Sequence, residues 1–303
     1  MGFEYNPTSS ACQYFIIIGE WRAKTFENNS FGGYAVAKFG SDEHTGTLFD
    51  FYIKQVNLIE ELYKDNNFYN ATGRFSELYL LFFSLHSTGL AIAHLAKGKF
   101  LNESFMLARS QVEKIINYLY LLYCDDEEYQ NYLAYSKQKQ FRMFNRSINV
   151  GELNAEIRRS VQLNEDVDLQ AAKQRFTSKS GKEVRRWSNR SIPDRLSIVE
   201  SKLGKDVSVF MLSYLGIHEN ASEALHGTIY GVAFNIGLWR GKTPSSIEEL
   251  SKSWNEQFSM LFIMLGTCIH ILLKAIHTEI PVENIKSQSS ENVSDIINDS
   301  PFD

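Results

Sequence analysis

No proline occurs between Pro7 and Pro193, and the whole 303-residue chain holds five. A β-sandwich or barrel of that length needs many tight turns, and proline is one of the residues that set them. A helix interior excludes proline, because the ring removes a hydrogen-bond donor and clashes with the preceding turn. So long a gap predicts an all-α fold, a multi-helix bundle of about six to nine helices. Hydrophobic residues at 44% and charged residues at 22% are those of a folded globule rather than a disordered chain. The net charge of −5 supplies no global attraction for nucleic acid.

Cys12, Cys124 and Cys268 are an odd number without a C-x-x-C pair. That argues against a disulfide framework and against structural zinc, and predicts thiols in a reducing cytoplasm. The N-terminus lacks a basic region, and Phe15-Ile16-Ile17-Ile18 is too short for a signal core. Two stretches approach membrane-span length, Leu78 to Ala96 and Phe258 to Ile276. Their histidines and the lack of Lys/Arg asymmetry at their flanks favour buried bundle helices over stable membrane insertion. No nucleophile elbow, P-loop, dinucleotide fingerprint, H-E-x-x-H or deaminase zinc signature occurs, so no cofactor and no metal is expected.

Along the chain, residues 1–47 read as an irregular or β-containing N-terminal extension. Cys12 to Ile18 and Gly33 to Phe39 fit short strands or a broken helix equally well. The bundle is expected over residues 48–280. Its helices are Leu48–Asn66, Phe75–Lys97 with Gly98 as C-cap, a helix from the N-cap Asn102 to about Cys124, and one opened by Asp125-Asp126-Glu127-Glu128. Aromatics thin out from 146 to 195, a polar arm with weak helical patterns near 151–163 and 165–177. Periodicity returns at Pro193, through Asp194–Leu203, Val207–Leu215 and about Glu219–Ile236. The box Ser246-Ile-Glu-Glu249 starts a last helix reaching roughly His277. Residues 281–303 read as a disordered tail.

Three features could carry chemistry. On the helix from 102 to 124, Arg109, Glu113 and Asn117 form a polar line flanking the apolar stripe of Phe105, Ala108, Val112, Ile115, Ile116, Leu119 and Leu122. On the helix from 219, Ser222 and His226 flank Ala221, Leu225, Ile229, Val232 and Ile236, and Gly227 reads as a place of close backbone approach. Glu223-Ala-Leu-His226 also has the Glu-x-x-His spacing of a di-iron bundle, but no second copy exists. His86 and His94 read as core residues. Lastly, residues 173–195 hold eight Lys or Arg against Glu183 and Asp194. Within them Lys182, Arg185, Arg186 and Arg190 surround Trp187, a mixture suited to phosphates and exposed bases. A solvated basic loop that docks on the protein's own surface has the same composition.

The segment Ala108-Arg109-Ser110-Gln111-Val112-Glu113-Lys114-Ile115-Ile116-Asn117 resembles the Arg-Ser-x-x-Glu-x-x-x-Asn helix of the bacterial helical domain-of-unknown-function family numbered 5677. Tyr214 through Gly227, with Ser222-x-x-x-His226-Gly227, looks like its second block. That family is compared with HEPN-type bundles, many of them metal-independent ribonucleases of toxin–antitoxin and antiphage systems. The resemblance implies an Arg and a His meeting in one cleft, here Arg109, Glu113, Ser222 and His226. HEPN ribonucleases carry Arg-x(4–6)-His on one helix; this chain has no such spacing, so its pair must come from two helices. The expected function is that of a cytoplasmic, RNA-directed, HEPN-like endoribonuclease of bacterial defence, with Lys182, Arg185, Arg186, Trp187 and Arg190 holding RNA. A non-catalytic interaction module, such as a sensor, an antitoxin or a subunit of a defence complex, is the alternative. A bundle this apolar is also expected to pair as a homodimer.

Overall fold

The computed structural model describes residues 39–65, 68, 73–158, 167–235 and 244–280. The expected strands before Phe39 and the expected tail at 281–303 lie outside the described residues. The fold is all-α with a small β-containing region. The chain divides into two compact units, Met1–Tyr118 with Lys205–Asp303, and Leu119–Gly204.

The first unit contains α1 (Asp42–Lys64), the single turn α2 (Arg74–Glu77), α3 (Tyr79–Lys97) and most of α4 (Leu101–Tyr123). It also holds α8 (Val207–Leu225), α9 (Ile229–Asn235) and α10 (Ile247–Glu279). The second unit, inserted in the sequence between α4 and α8, has α5 (Asp126–Phe144), the hairpin β1 (Asn145–Val150) and β2 (Leu153–Arg158), α6 (Val167–Arg175) and α7 (Ile192–Leu203).

In the first unit α1 packs against α3 and α10, and α8 against α9 and α10. Helix α10 is apolar all round from Phe258 onward, and the structure buries it accordingly: Phe258, Leu261, Phe262, Leu265, Ile269, Leu272 and Ile276 have almost no exposed surface. Phe262 lies between three rings, stacked on Phe258 and Tyr52 and edge-on to Phe49. By length and composition α3 and α10 could each cross a membrane. The most apolar window of α10 is 78% buried inside the fold, that of α3 39%.

Several boundaries differ from the sequence reading, each for a local reason. Helix α1 starts at Asp42 rather than Leu48, because the Ser41 hydroxyl caps it by accepting from the His44 amide. Asn102 lies inside α4 and is no N-cap; its side-chain amide donates to the Gly231 carbonyl at 3.0 Å. Gly98 stands at the end of α3, but the left-handed residue is Lys99 (φ 61°). The Lys99 ammonium donates to Asn255 Oδ1 at 3.0 Å and lies over the Phe258 ring, contacts that offset a strain of about 1–2 kcal/mol. His86 is buried, as expected, and meets Tyr63 and Glu60; His94 is exposed. Of the weak helical pattern at 151–163, the described residues form a turn and strand β2, and 159–163 lie outside the described residues. Gly151 (φ 61°) opens the two-residue loop from Val150 to Leu153, where a hairpin turn of type II′ places glycine.

The largest correction concerns residues 207–236. Helix α8 runs unbroken through Gly216, whose hydrogen faces Met264 at a distance that leaves little room for a methyl. The break falls at His226-Gly227-Thr228. Gly227 takes φ 63°, its amide donates to the Ala224 carbonyl, and the Thr228 amide donates to the Glu223 carbonyl, which is a Schellman cap. The turn redirects the chain, so the expected stripe through 219–236 does not form. Leu225, Ile229 and Val232 are exposed, and the buried residues are Val207, Phe210, Ser213, Ile217, Asn220 and Ala221 on α8 with Gly231 and Phe234 on α9; Ile236 lies outside the described residues.

Gly227 therefore serves a left-handed turn with open space around it, and the close-approach glycine is Gly231. A β-carbon at Gly231 would lie 2.5 Å from the Glu223 carbonyl group. Gly231→Ala should destabilise by about 1–3 kcal/mol, because backbone rather than a pliant side chain must move. Gly227→Ala should cost about 1 kcal/mol from backbone strain alone. Thermal melts of both variants check the order; equal shifts would contradict this assignment.

Candidate functional site

Helix α4 presents Arg109 and Glu113 one turn apart, and the Arg109 Nε donates to Glu113 Oε1 at 3.0 Å. This is the intrahelical pair that i, i+4 spacing allows. The pair does not stand alone. His218 of α8 places Nε2 3.7 Å from the same Glu113 oxygen, and the Tyr214 ring, one turn earlier on α8, lies 4.5 Å from the imidazole, centroid to centroid. An Arg, a Glu, a His and a Tyr from two helices thus converge within the first unit.

The cluster remains accessible: Arg109, Glu113 and His218 side chains are 27%, 35% and 29% exposed. Its electrostatics favour a neutral imidazole. Burial first, then the Arg109 charge, push the His218 pKa below its ordinary value, against the opposing pull of Glu113 and Glu219. Burial and the Glu113 carboxylate push the Tyr214 phenol upward, with Arg109 opposing, so it stays a proton donor at neutral pH. Arg109 uses its Nε on Glu113, and no bond from its two terminal amino groups occurs among the described residues.

The expected histidine was a different one. His226 caps the C-terminal end of α8, is exposed, and sits eight residues beyond His218, about 12 Å along the axis. Ser222 is half-buried one turn beyond His218 on the same face of α8. The structure thus brings Arg109 and Glu113 to His218, with Ser222 one turn away. The signal for His218 was present: it follows Ile217 in the buried row of α8 and stands four residues after Tyr214. It is obscured once a helix break is placed at Gly216. Glu223 of the Glu-x-x-His spacing accepts from the Thr228 hydroxyl at 2.7 Å. Among the described residues no three His, Cys, Asp or Glu side chains gather as a metal site.

The basic segment belongs to the second unit, where it is pinned rather than loose. Tyr135 donates its hydroxyl to the Arg185 carbonyl at 2.8 Å, and Lys139 pairs with Glu183 at 2.8 Å. Trp187 is half-buried between Tyr132 and Tyr120, and the Arg195 guanidinium lies 4.5 Å over its ring. Its indole is thus already engaged as the anchor of the loop. Lys182, Arg185, Arg186 and Arg190 are exposed around it.

The sign of the His218 shift sets a titration experiment. Native His218 binds its proton at lower pH than the unfolded chain does, so its contribution to stability is present above about 6.5 and is lost as pH falls through the native midpoint. Arg109→Met should raise the His218 midpoint, and Glu113→Gln should lower it further. Imidazole proton shifts read by NMR check both signs.

A family model of unknown function, DUF5677, matches residues 78–243, a span that holds α3 to α9 and every member of the cluster. No curated protein and no solved structure matches the chain. With more than half of its length covered by that model, the chain belongs to the family of unknown function DUF5677.

Proposed function

We propose that the protein is an RNA-directed, metal-independent endoribonuclease and that Arg109, Glu113 and His218 are its reactive cluster, His218 replacing His226 in the base role. The observation that carries this is the meeting of a neutral, reachable imidazole with an Arg–Glu pair on a neighbouring helix. Cleavage of RNA without metal needs a base for the ribose 2′-hydroxyl and a cation for the charge that develops on the phosphoryl oxygens. Neutral His218 takes the 2′-hydroxyl proton as that oxygen attacks phosphorus; the P–O5′ bond breaks, the departing 5′-oxygen takes a proton from water, and a 2′,3′-cyclic phosphate is left. Glu113, at 3.7 Å, stabilises the imidazolium so formed. The terminal amino groups of Arg109 reach the phosphoryl oxygens while its Nε holds Glu113 in place. Tyr214 and Ser222 position the imidazole from the turns before and after it. Lys182, Arg185, Arg186 and Arg190 attract the phosphodiester chain. A role in antiphage defence or as a toxin follows from the HEPN-like resemblance alone.

One observation favours a second reading, an interaction module. Helix α8 and the start of α9 expose Met211, Leu212, Leu215, Leu225 and Ile229, an apolar set suited to a partner protein or a second copy. Under that reading the Arg–Glu–His cluster is a polar seam.

The deciding assay incubates the purified chain with cellular RNA in EDTA and resolves the products on a denaturing gel. Wild type should cleave, His218→Ala should lose about 100-fold or more in rate, and His226→Ala should stay within a few-fold of wild type. His218→Ala cleaving at the wild-type rate would overturn the mechanism. No cleavage by wild type, with a partner or second copy bound along α8, would favour the interaction module.

A further inference from the structure

The second unit contains a cleft of about 600 Å³ lined by Phe141 and Arg142 of α5, Lys173 and Gln174 of α6, and Thr177 and Ser178 just beyond α6. The residues that border this space carry two cations, two hydroxyls and a carboxamide beside an aromatic ring, and none of the six is acidic. In the sequence Lys173 stands at the start of the basic segment, and Arg142 lies outside it.

The cations are held in position. Arg142 directs Nη2 to the Thr177 hydroxyl at 2.7 Å and to the carbonyls of Lys173 and Phe176 at 3.3 and 3.4 Å. Those bonds fix the guanidinium plane against the C-terminal end of α6, where a positive group is favoured. Nη1 is not used by any of them. The Lys173 ammonium lies 4.2 Å from the centre of the Phe141 ring, which fixes it as a point charge at the cleft wall. The Ser178 hydroxyl also accepts from the Lys182 amide, tying the cleft to the loop that bears the exposed cations.

We infer that this cleft binds the phosphate group of a nucleotide, with Arg142, Lys173 and Ser178 contacting the phosphate oxygens, Thr177 holding Arg142 in place while its own hydroxyl donates to the Lys173 carbonyl at 2.6 Å, and Phe141 and Gln174 bordering the nucleoside. A fixed guanidinium and an ammonium beside the Ser178 hydroxyl form the charge-assisted set that phosphate oxygens accept. The volume falls within the ~300–1,000 Å³ of small-molecule sites and exceeds what an inorganic anion fills. The nucleotide is either free or the terminal unit of an RNA, and the shared chemistry is the phosphate. The inference does not rest on RNA cleavage, since none of these residues belongs to the Arg109–Glu113–His218 cluster.

Isothermal titration of the full chain at low salt, in parallel with thermal melts, tests it. The probes are inorganic phosphate, adenosine 5′-monophosphate, adenosine, and a short oligoadenylate with either a 5′-phosphate or a 5′-hydroxyl. The monophosphate should bind saturably, more tightly than inorganic phosphate, and adenosine should not bind. Lys173→Gln should weaken binding about tenfold or more with an unchanged melt, Lys173→Arg should restore it, and Lys179→Gln, outside the cleft, should leave it intact. A 5′-phosphorylated oligomer that binds more tightly than the free nucleotide assigns the site to an RNA end; equal or weaker binding assigns it to a free nucleotide. Absence of saturable binding by every phosphate compound overturns the inference. So does an equal loss in Lys173→Gln and Lys179→Gln, which would mean non-specific attraction to the basic surface.

Discussion

One buried hydroxyl ties three helices together. Tyr52 of α1 has no exposed surface, and its hydroxyl donates towards the Gly89 carbonyl of α3 at 3.1 Å and Gln111 Oε1 of α4 at 3.0 Å. Burial pushes its phenol pKa far above the ordinary range, so it remains a donor at any physiological pH. The contact exists because position 89 is glycine: a β-carbon there would come within 2.8 Å of Val56 and 3.1 Å of the Gln111 amide. Losing the hydroxyl would leave Gln111 Oε1 without this donor in a dry core, at about 1–3 kcal/mol. A polar junction of this kind also specifies one arrangement of the helices, which apolar packing alone does less sharply.

The orientation of α4 follows from that junction. With Gln111 held toward α1 and α3, Arg109 and Glu113 lie two residues away on either side, about 160° around the helix. They therefore face away from Tyr52, and α8 supplies His218 and Tyr214 on that side. The direction of α8 depends in turn on two glycines with different duties. Gly216 allows contact with Met264 without breaking the helix, and Gly227 breaks it through a left-handed turn. The Arg109–Glu113–His218 cluster is thus a by-product of core packing, in which a polar line at the edge of one helix meets a polar line at the edge of another.

The second unit follows a different logic. Its polar composition gives it a modest core, and aromatic side chains with cations above their rings organise its surface: Arg195 over Trp187, and Lys173 over Phe141. Basic residues that read in the sequence as one undivided run are divided by the structure into two kinds. Some are fixed against rings or carbonyls, and others, such as Arg185 and Arg186, are exposed on a loop whose backbone is anchored through Tyr135. An electrostatic patch is useful for attraction, and a fixed subset of it is what recognises a particular group.

The local readings that succeeded rest on short-range physics. The missing prolines and the apolar periodicity were enough for an all-α fold, because helices depend on nearest-neighbour geometry. Ser246 and Pro193 marked true helix starts for the same reason, and the all-round apolar run after Phe258 marked a core helix. Other features depend on contacts distant in sequence and had no local sign. Lys99 adopts a glycine-like conformation because Asn255 and Phe258 hold its side chain. Asn102 looked like a cap and instead reaches the Gly231 carbonyl. His226 looked like the partner of Arg109, while the tertiary structure chose His218. Sequence alone determined that Arg109 and Glu113 share a helix edge, since four residues make about one turn. Only the packing of α8 against the rest of the first unit decided which histidine meets them, because that depends on where a distant helix bends and which of its faces is buried.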